Sequence, residues 1–317
     1  MKVLVCAFNY ETACAEGRKT LEDAGLEILY NPRTVPYTRE EILRIIPDID
    51  AVISGNEIWD EEVYQRAGKL KVIARFGMGV DNIDLEGAKA HGIFVCNAPG
   101  AMNGVAELVV AWMLMLSRHL VEGNTYAKKG EWTRFFGSEI RGKKIGFLGY
   151  GRIPKLISRK IANFDAELYA YDISPDKEYA AQYGVTMTDL DYILEQCDII
   201  SLHLPVTPET KNFMDADKFS RLKKGAIFIN TSRGSNVDED ALYHALTTGH
   251  LSGAACDVFA VEPLQADNKL LSLENFYCTP HWGSDTYETL RSVGIITATA
   301  VVDVLCRNAA PANLLNR

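Results

Sequence analysis

The chain has 317 residues, of which 47% are hydrophobic and 24% charged, and this composition is typical of a globular protein with about two domains. Its formal charge of −9, from 33 basic and 42 acidic side chains, opposes binding to a phosphate backbone, so we expect no nucleic-acid partner. The longest uninterrupted apolar stretch, 108–116, is about half the length that a membrane-spanning helix needs. The opening residues contain no signal peptide, and we expect a cytoplasmic protein that has no membrane partner.

The seven cysteines are an odd number, and none of them forms a C-x-x-C motif or lies at ligand spacing from a histidine. Most of them lie inside apolar runs. We therefore expect reduced cysteines in the protein core, with neither disulfides nor a metal site.

Five short apolar runs occupy the first hundred residues, with segments of helical period between them. The runs predict strands at 2–8, 26–30, 50–55, 70–76 and 92–97, and helices are predicted at 38–46 and 60–67. This alternation is typical of a doubly wound parallel sheet.

A long apolar segment at 104–123 comes next and predicts a helix. A second series of strands is then predicted at 143–151, 166–172, 197–205, 225–234, 251–259 and 274–280, followed by a helix at 284–307. Because the two long helices would connect two sheets, we expect the C-terminus to return to the first domain.

The first strand of the second series runs into Gly149-Tyr150-Gly151 and a helical segment, the order found in dinucleotide-binding sites. Gly149 would permit the tight turn, and Gly151 would let the backbone approach a pyrophosphate at the positive end of the helix. Pro154 stands where a third small residue is expected. Proline is tolerated in the first turn of a helix, so we expect the helix to survive with altered packing.

Asp172 ends the next predicted strand, where a carboxylate would accept hydrogen bonds from ribose hydroxyls. A 2′-phosphate there would be repelled by this charge, and the following Ile173-Ser174-Pro175 contains no arginine to offset it. The sequence therefore favours NAD over NADP. The predicted fold class is α/β with two doubly wound parallel-sheet domains. A Rossmann NAD-binding domain (101–285) is inserted into a flavodoxin-like substrate domain (1–100 and 286–317).

Three later motifs place a functional side chain just beyond a strand end, where open α/β sheets bind ligands. Arg233 offers a planar fork for a carboxylate, and His281 can exchange a proton near neutral pH. Glu262 beside that histidine would orient the ring and favour its protonated form. Together the three residues predict redox chemistry on a hydroxy acid.

These motifs resemble the D-isomer-specific 2-hydroxyacid dehydrogenase family, particularly its phosphoglycerate dehydrogenase-like and hydroxypyruvate reductase-like branches. The resemblance extends over almost the whole chain. Beyond the motifs above it includes residues 75–84 (RFGMGVDNID), 97–100 (NAPG), 105–107 (VAE), 201–205 (SLHLP), Thr207, Thr210 and 311–313 (PAN).

The resemblance implies that Arg233, Glu262 and His281 are catalytic, with His281 as general acid/base, Glu262 as its partner and Arg233 binding the substrate carboxylate. It also implies a cofactor site and a substrate site. The expected NAD site consists of Gly149, Gly151, Arg152, Ile153, Asp172, His203, Pro205, Thr210, Thr231, Ser232, Asp257 and Gly283. Substrate contacts are expected from Ser54, Gly77, Met78 and Gly79 in addition to Arg233.

The expected reaction is hydride transfer between NAD(H) and C2 of a small D-2-hydroxy or 2-oxo acid. Phosphoglycerate dehydrogenases would carry an arginine at the strand end occupied here by Ser54-Gly55-Asn56, which favours an unphosphorylated substrate such as hydroxypyruvate or glyoxylate. Arg134 could still reach a phosphate. Phosphoglycerate dehydrogenase therefore remains an alternative. A non-catalytic, NAD-sensing corepressor-like protein is a second alternative, because the family includes such proteins and Pro154 could weaken cofactor binding. The resemblance also implies a homodimer, with 105–123 and 132–136 as contact surfaces.

Overall fold

The computed structural model describes residues 1–32, 35–100 and 102–317, and the chain forms two compact units. Unit 1 comprises Met1–Ala101 and Ser284–Arg317, and unit 2 comprises Met102–Gly283. Each is a parallel α/β sheet with helices, so the predicted fold class is confirmed. The predicted domain boundary at residue 101 lies outside the described residues, and the roles assigned to the two domains stay a prediction.

Unit 1 is built on a five-stranded sheet of order β2-β1-β3-β4-β5, the flavodoxin-like order. Its strands are β1 (Lys2–Val5), β2 (Glu27–Tyr30), β3 (Ala51–Ser54), β4 (Val72–Arg75) and β5 (Phe94–Cys96). Its helices are α1 (Tyr10–Ala13), α2 (Ala15–Asp23), α3 (Arg39–Ile45), α4 (Glu61–Arg66), α5 (Leu85–Ala90) and, from the C-terminal part of the chain, α13 (Tyr287–Cys306).

The strands of unit 1 are apolar on both sides because helices cover both faces of the sheet. Val3 and Val5 pack in one core with α13, while Leu4 packs in the other core with α3 and α4. Helices α2 and α13 approach closely at two glycines: a Cβ on Gly17 would lie 2.5 Å from the carbonyl oxygen of Gly294. By length and composition α13 could cross a membrane, but 56% of its most apolar stretch is buried within the structure.

Unit 2 is built on a seven-stranded parallel sheet of order β12-β11-β10-β9-β6-β7-β8, in which the first six strands in chain order follow the Rossmann arrangement. Its strands are β6 (Lys144–Leu148), β7 (Glu167–Tyr171), β8 (Val185–Met187), β9 (Ile199–Leu202), β10 (Ala226–Asn230), β11 (Leu251–Cys256) and β12 (Phe276–Cys278). Its helices are α6 (Met102–Arg118), α7 (Leu120–Lys128), α8 (Arg152–Ile161), α9 (Lys177–Gln182), α10 (Leu190–Gln196), α11 (Ala216–Arg221) and α12 (Glu239–Thr247).

The structure differs from the predicted elements of unit 2 at two places. The edge strand β8 was not predicted, because its residues Val185-Thr186-Met187 stand between Gly184 and Thr188 and form no apolar run. The helix predicted at 104–123 is broken into α6 and α7, which meet at 64°. His119 lies at the break with a left-handed φ of 52°, and the carbonyl of Ser117 accepts a hydrogen bond from the backbone of Ser138.

Aspartates begin many of the helices, since a carboxylate at this position accepts the otherwise unpaired N–H groups of the first turn. Their side chains cap α4, α5, α9, α10, α11 and α12 (Asp60, Asp84, Asp176, Asp189, Asp215 and Asp238). The parallel strands of unit 2 all point the same way, and their carboxyl ends form one edge. Nearly all the predicted cofactor and catalytic residues lie just beyond that edge.

Candidate active site

The turn after β6 has the geometry of a phosphate-binding loop. Gly149 has a φ of +88°, and a Cβ there would lie 2.8 Å from the carbonyl oxygen of His203, so only glycine fits this turn without strain. Gly151 immediately precedes α8, and a Cβ there would meet nothing within 4 Å. Arg152 and Ile153 begin α8, and Pro154 is buried in its first turn. The helix survives the proline, as expected.

Asp172 follows β7 and lies beside this turn. One carboxylate oxygen accepts the N–H of Tyr150 at 2.7 Å, and the other accepts the N–H of Ser174 at 2.8 Å. These bonds fix the orientation of the carboxylate at the end of the strand. They leave it further lone pairs for ribose hydroxyls, since each carboxylate oxygen can accept two hydrogen bonds.

The segment after β9 carries three predicted cofactor residues in different situations. The backbone of His203 packs beneath Gly149, and its ring accepts or donates a hydrogen bond at 2.8 Å with Ser201. Burial lowers the pKa of His203 to about 3, so this ring is neutral at physiological pH. The Thr210 hydroxyl donates to the carbonyl of Pro205 at 2.7 Å and accepts the N–H of Thr207 at 2.7 Å. Through these two hydrogen bonds Thr210 stabilises the loop 205–210.

The turn after β10 is organised by the buried Asn230. Its amide oxygen accepts both the N–H and the hydroxyl of Ser232, and its amide nitrogen donates to the carbonyl of Arg233 at 3.0 Å. The Thr231 side chain is 8% exposed, and its hydroxyl has no hydrogen-bond partner among the described residues. A buried hydroxyl without a protein partner at this edge suits a polar ligand.

A dinucleotide fits the residues gathered here. The glycine turn leaves open space at the start of α8, the Asp172 carboxylate has lone pairs to spare, and the Thr231 hydroxyl lacks a protein partner among the residues described. No arginine or lysine hydrogen-bonds to Asp172 within the described part of the chain. The charge at this position therefore remains unfavourable for a 2′-phosphate.

Glu262 and His281 form a hydrogen-bonded pair across the ends of β11 and β12. The His281 Nδ1 lies 2.7 Å from one carboxylate oxygen of Glu262, and the Phe259 N–H donates to the other oxygen at 3.0 Å. Burial raises the pKa of the Glu262 carboxyl. The hydrogen bond and charge of His281 lower this pKa, as do the Phe259 N–H and the charge of Arg233, and together they outweigh the effect of burial. The net pKa of Glu262 lies below its ordinary value, so the carboxylate is charged at neutral pH.

Asp257 holds the segment that carries His281. Its carboxylate accepts the Thr279 hydroxyl at 2.5 Å and the backbone N–H groups of Trp282 and Gly283 at 2.9 and 2.8 Å. His281 itself has a left-handed φ of 54°. Burial raises the pKa of Asp257 despite these donors. In the structure Asp257 therefore fixes the loop that carries His281. The expected contact of Asp257 with the nicotinamide stays a prediction.

Arg233 is distant in sequence from Glu262 and His281. The fold brings it near them because the loop that carries Arg233 packs closely against the loop that carries Glu262, at Gly234. A Cβ on Gly234 would lie 1.8 Å from the Phe259 carbonyl carbon. The Arg233 guanidinium donates to the carbonyl of Ser232 at 2.8 Å, and its charge contributes to the lowered pKa of Glu262. The structure therefore brings all three predicted catalytic residues into one region of unit 2.

The predicted substrate residues of unit 1 lie at the ends of two strands: Ser54 ends β3, and Gly77, Met78 and Gly79 follow β4. Gly77 has a φ of +145°, and its N–H donates to the Arg75 carbonyl at 2.9 Å, so this N–H is used within the turn. The N–H groups of Met78 and Gly79 have no backbone acceptor among the described residues. Ser54 is fully buried and its hydroxyl has no hydrogen-bond partner in the described part of the chain; its expected contact with a substrate stays a prediction.

Arg75 organises this substrate loop. Its guanidinium donates to the carbonyls of Gly79, Ser54 and Phe76 at 2.9, 3.3 and 3.1 Å and to the Asn56 amide oxygen at 2.9 Å. Sequence reasoning placed Arg75, Gly234 and Thr279 in motifs without giving them these roles, and it missed Asn230. Only their position at strand ends could have indicated these residues, because their hydrogen bonds and contacts join segments distant in sequence.

Residues 110–283 match the family model described as the NAD binding domain of D-isomer specific 2-hydroxyacid dehydrogenase. This match confirms NAD as the expected cofactor. A D-3-phosphoglycerate dehydrogenase from Methanocaldococcus jannaschii is 40% identical over 100% of the chain, which spans 59% of the length of that relative. A hydroxypyruvate reductase from Thermotoga maritima is 36% identical over 87% of the chain and 92% of its own length.

Among solved structures, the TT0316 protein from Thermus thermophilus has a TM-score of 0.89 and 32% sequence identity, covering 99% of this chain and 100% of its own. The match to the family model and the 40% identical relative agree with the geometry at the carboxyl edge of the unit 2 sheet. The chain belongs to the D-isomer specific 2-hydroxyacid dehydrogenase family.

Proposed function

We propose that this protein is an NAD-dependent oxidoreductase that interconverts a small D-2-hydroxy acid and the corresponding 2-oxo acid. The observation that carries the proposal is the 2.7 Å hydrogen bond between His281 and a charged Glu262, with Arg233 on the adjacent strand end. A proton donor paired with a carboxylate, next to a guanidinium, is the combination that reduction of a carbonyl beside a carboxylate requires.

In the direction of reduction, NADH held by the glycine turn and Asp172 would provide the hydride that C2 of the 2-oxo acid accepts. His281 holds its Nδ1 proton against Glu262, so Nε2 is the atom that gives a proton to the substrate oxygen. Glu262 stays charged and stabilises the imidazolium before this transfer. Arg233 binds the substrate carboxylate and stabilises the negative charge that develops on the carbonyl oxygen. Oxidation needs neutral His281 as base and is therefore favoured as the pH rises.

We propose an unphosphorylated substrate such as hydroxypyruvate or glyoxylate. Two features of unit 1 support this choice. No arginine occupies position 54, and the Arg75 guanidinium is engaged by four acceptors of its own loop. The second candidate is 3-phosphoglycerate, supported by the 40% identical relative named for that activity.

The test is NADH oxidation by the purified protein with glyoxylate, hydroxypyruvate, pyruvate and 3-phosphohydroxypyruvate, each repeated with NADPH. We expect turnover with an unphosphorylated acid and NADH. A preference for the phosphorylated acid would replace the first candidate by the second. Binding of NADH without turnover of any 2-oxo acid would overturn the enzyme proposal in favour of an NAD-sensing binding protein.

Two variants test the proposed roles. His281→Ala should lower turnover on the order of 10²- to 10⁴-fold with little change in NADH affinity, because only proton transfer is removed. Arg233→Lys should lower kcat/KM strongly, since an ammonium cannot reproduce the two-pronged contact with a carboxylate. Wild-type-like turnover of the first variant would contradict the role of His281, and an unchanged kcat/KM in the second would contradict the carboxylate contact.

We further propose that the protein is a homodimer. The segment 131–139 has no regular secondary structure, and it exposes 95% of Trp132 and 94% of Phe136. Large aromatic side chains with this exposure are typical of protein interfaces. Sedimentation analysis should give a dimer for the wild type and a weaker dimer for Trp132→Glu. A monomeric wild type would contradict the proposal.

A further inference from the structure

Glu239, the first residue of α12, binds two groups that belong to another segment. One carboxylate oxygen accepts the backbone N–H of Ala260 at 2.7 Å, and the other accepts the side-chain amide of Asn268 at 2.9 Å. An acid at a helix start ordinarily needs no such partners, because the helix dipole already favours it there. The neighbouring Asp240 contrasts with Glu239: its side chain is 82% exposed, and its ion pair with Lys269 lies at the surface.

The peptide that Glu239 binds is fixed from a second side. Gly234 lies directly against the Phe259–Ala260 peptide, so closely that a Cβ would lie 2.3 Å from the Ala260 nitrogen. Two residues further on is Glu262, whose carboxylate accepts the Phe259 N–H at 3.0 Å and bonds to His281. The turn 259–262 is therefore held at its first peptide by Glu239 and presents Glu262 at its end.

We propose that Glu239 is a positioning residue for the reaction: it acts through the turn 259–262 to hold Glu262 at hydrogen-bond distance from His281. This inference rests on the proposed function for its kinetic consequences. Glu239 hydrogen-bonds to neither Glu262 nor His281, and its carboxylate is bound to Ala260 and Asn268. Its removal would leave the Ala260 N–H without this acceptor and allow the turn to shift.

The kinetic test compares Glu239→Ala with Asp240→Asn. Both remove a negative charge from the first turn of α12, but only the first releases the turn. Because misplacement of a reacting group by about 1 Å can cost on the order of 100-fold, we expect a 10- to 100-fold loss of kcat in Glu239→Ala. NADH affinity should stay within about threefold of wild type, as should the kcat of Asp240→Asn. Equal losses in the two variants would overturn the proposal.

A second comparison separates positioning from a general structural role. In the Glu262→Ala background there is no carboxylate left to position, so Glu239→Ala should cause no further loss of kcat. A further loss of about 10-fold or more in that background would contradict the proposed route through Glu262. Glu239→Gln keeps an oxygen that can accept the Ala260 N–H, and it should recover most of the kcat lost in Glu239→Ala. Failure of this recovery would also count against the proposal.

A measurement independent of activity distinguishes this proposal from the proposed function. Hydrogen exchange of a peptide covering 257–264 should be faster in Glu239→Ala than in wild type, and unchanged in Asp240→Asn. If the wild type turned over no 2-oxo acid, the proposed function would fail while this measurement still decided whether Glu239 holds the turn. Equal exchange in all three proteins would overturn the positioning role. Should Glu239→Ala not fold, the same measurement is made on Glu239→Gln and Asn268→Ala, with acceleration expected in Asn268→Ala.

Discussion

The pairing of Glu262 with His281 predicts a loss of rate when only the charge of Glu262 is removed. In Glu262→Gln the side chain keeps its shape but loses the charge that stabilises the imidazolium. A hydrogen bond to a charged partner contributes about 1.5–3 kcal/mol. The side chains of Glu262 and His281 are 25% and 32% exposed, so solvent screening places the expected value near the lower end, about 1.5 kcal/mol.

A loss of about 1.5 kcal/mol corresponds to about a tenfold change in rate. Reduction of a 2-oxo acid requires a proton from His281, so kcat/KM for reduction should fall about tenfold in Glu262→Gln. The assay is kcat/KM for NADH-dependent reduction at a pH at which both proteins stay folded. Asp240→Asn, which removes a distant exposed charge, is the control.

A kcat/KM equal to that of wild type would refute this reasoning. The carboxamide turns an N–H donor toward either Phe259 or His281, and this mismatched contact adds to the loss. A loss well below about tenfold would therefore also contradict the role of the Glu262 charge.

Two further predictions concern stability. Because the pKa of His203 is about 3 in the folded protein and about 6.5 when unfolded, its contribution to stability is complete above about pH 6.5 and is lost as the pH falls toward 3. The measurement is the free energy of unfolding in urea of wild type minus that of His203→Gln. This difference should fall by at most about 1.4 kcal/mol per pH unit as the pH is lowered over this range, and a difference that stays constant would contradict the prediction. Gly234→Ala should destabilise the protein by more than about 3 kcal/mol, since its Cβ would meet backbone and not a flexible side chain. The matched control is Gly123→Ala, because Gly123 lies in a helix and its new Cβ would meet nothing within 4 Å; its stability should be equal to or slightly above that of wild type. Similar melting temperatures for the two variants would refute the packing explanation.

The fold class was predictable because both sheets are parallel and buried on two faces. Each inner strand is then a continuous apolar run, which is visible without knowing its neighbours. The edge strand β8 was not predictable in this way, since Val185-Thr186-Met187 has a polar residue at its centre and forms no apolar run. The break between α6 and α7 at His119 was also not predictable from the sequence. No glycine or proline marks it, and the Ser117 carbonyl finds its partner in the remote Ser138.

The sequence by itself determined which residues stand just beyond the strand ends, and hence the glycine turn, Asp172, Arg233, Glu262 and His281 as candidates. It could do so because strand ends and turns follow local patterns of apolar and small residues. Only the tertiary structure decided how these residues are held. Asp257 reaches the backbone that carries His281, and Glu239 reaches a peptide 21 positions away. Such contacts depend on which strands are neighbours and on how closely two loops pack, and no local pattern in the sequence records either.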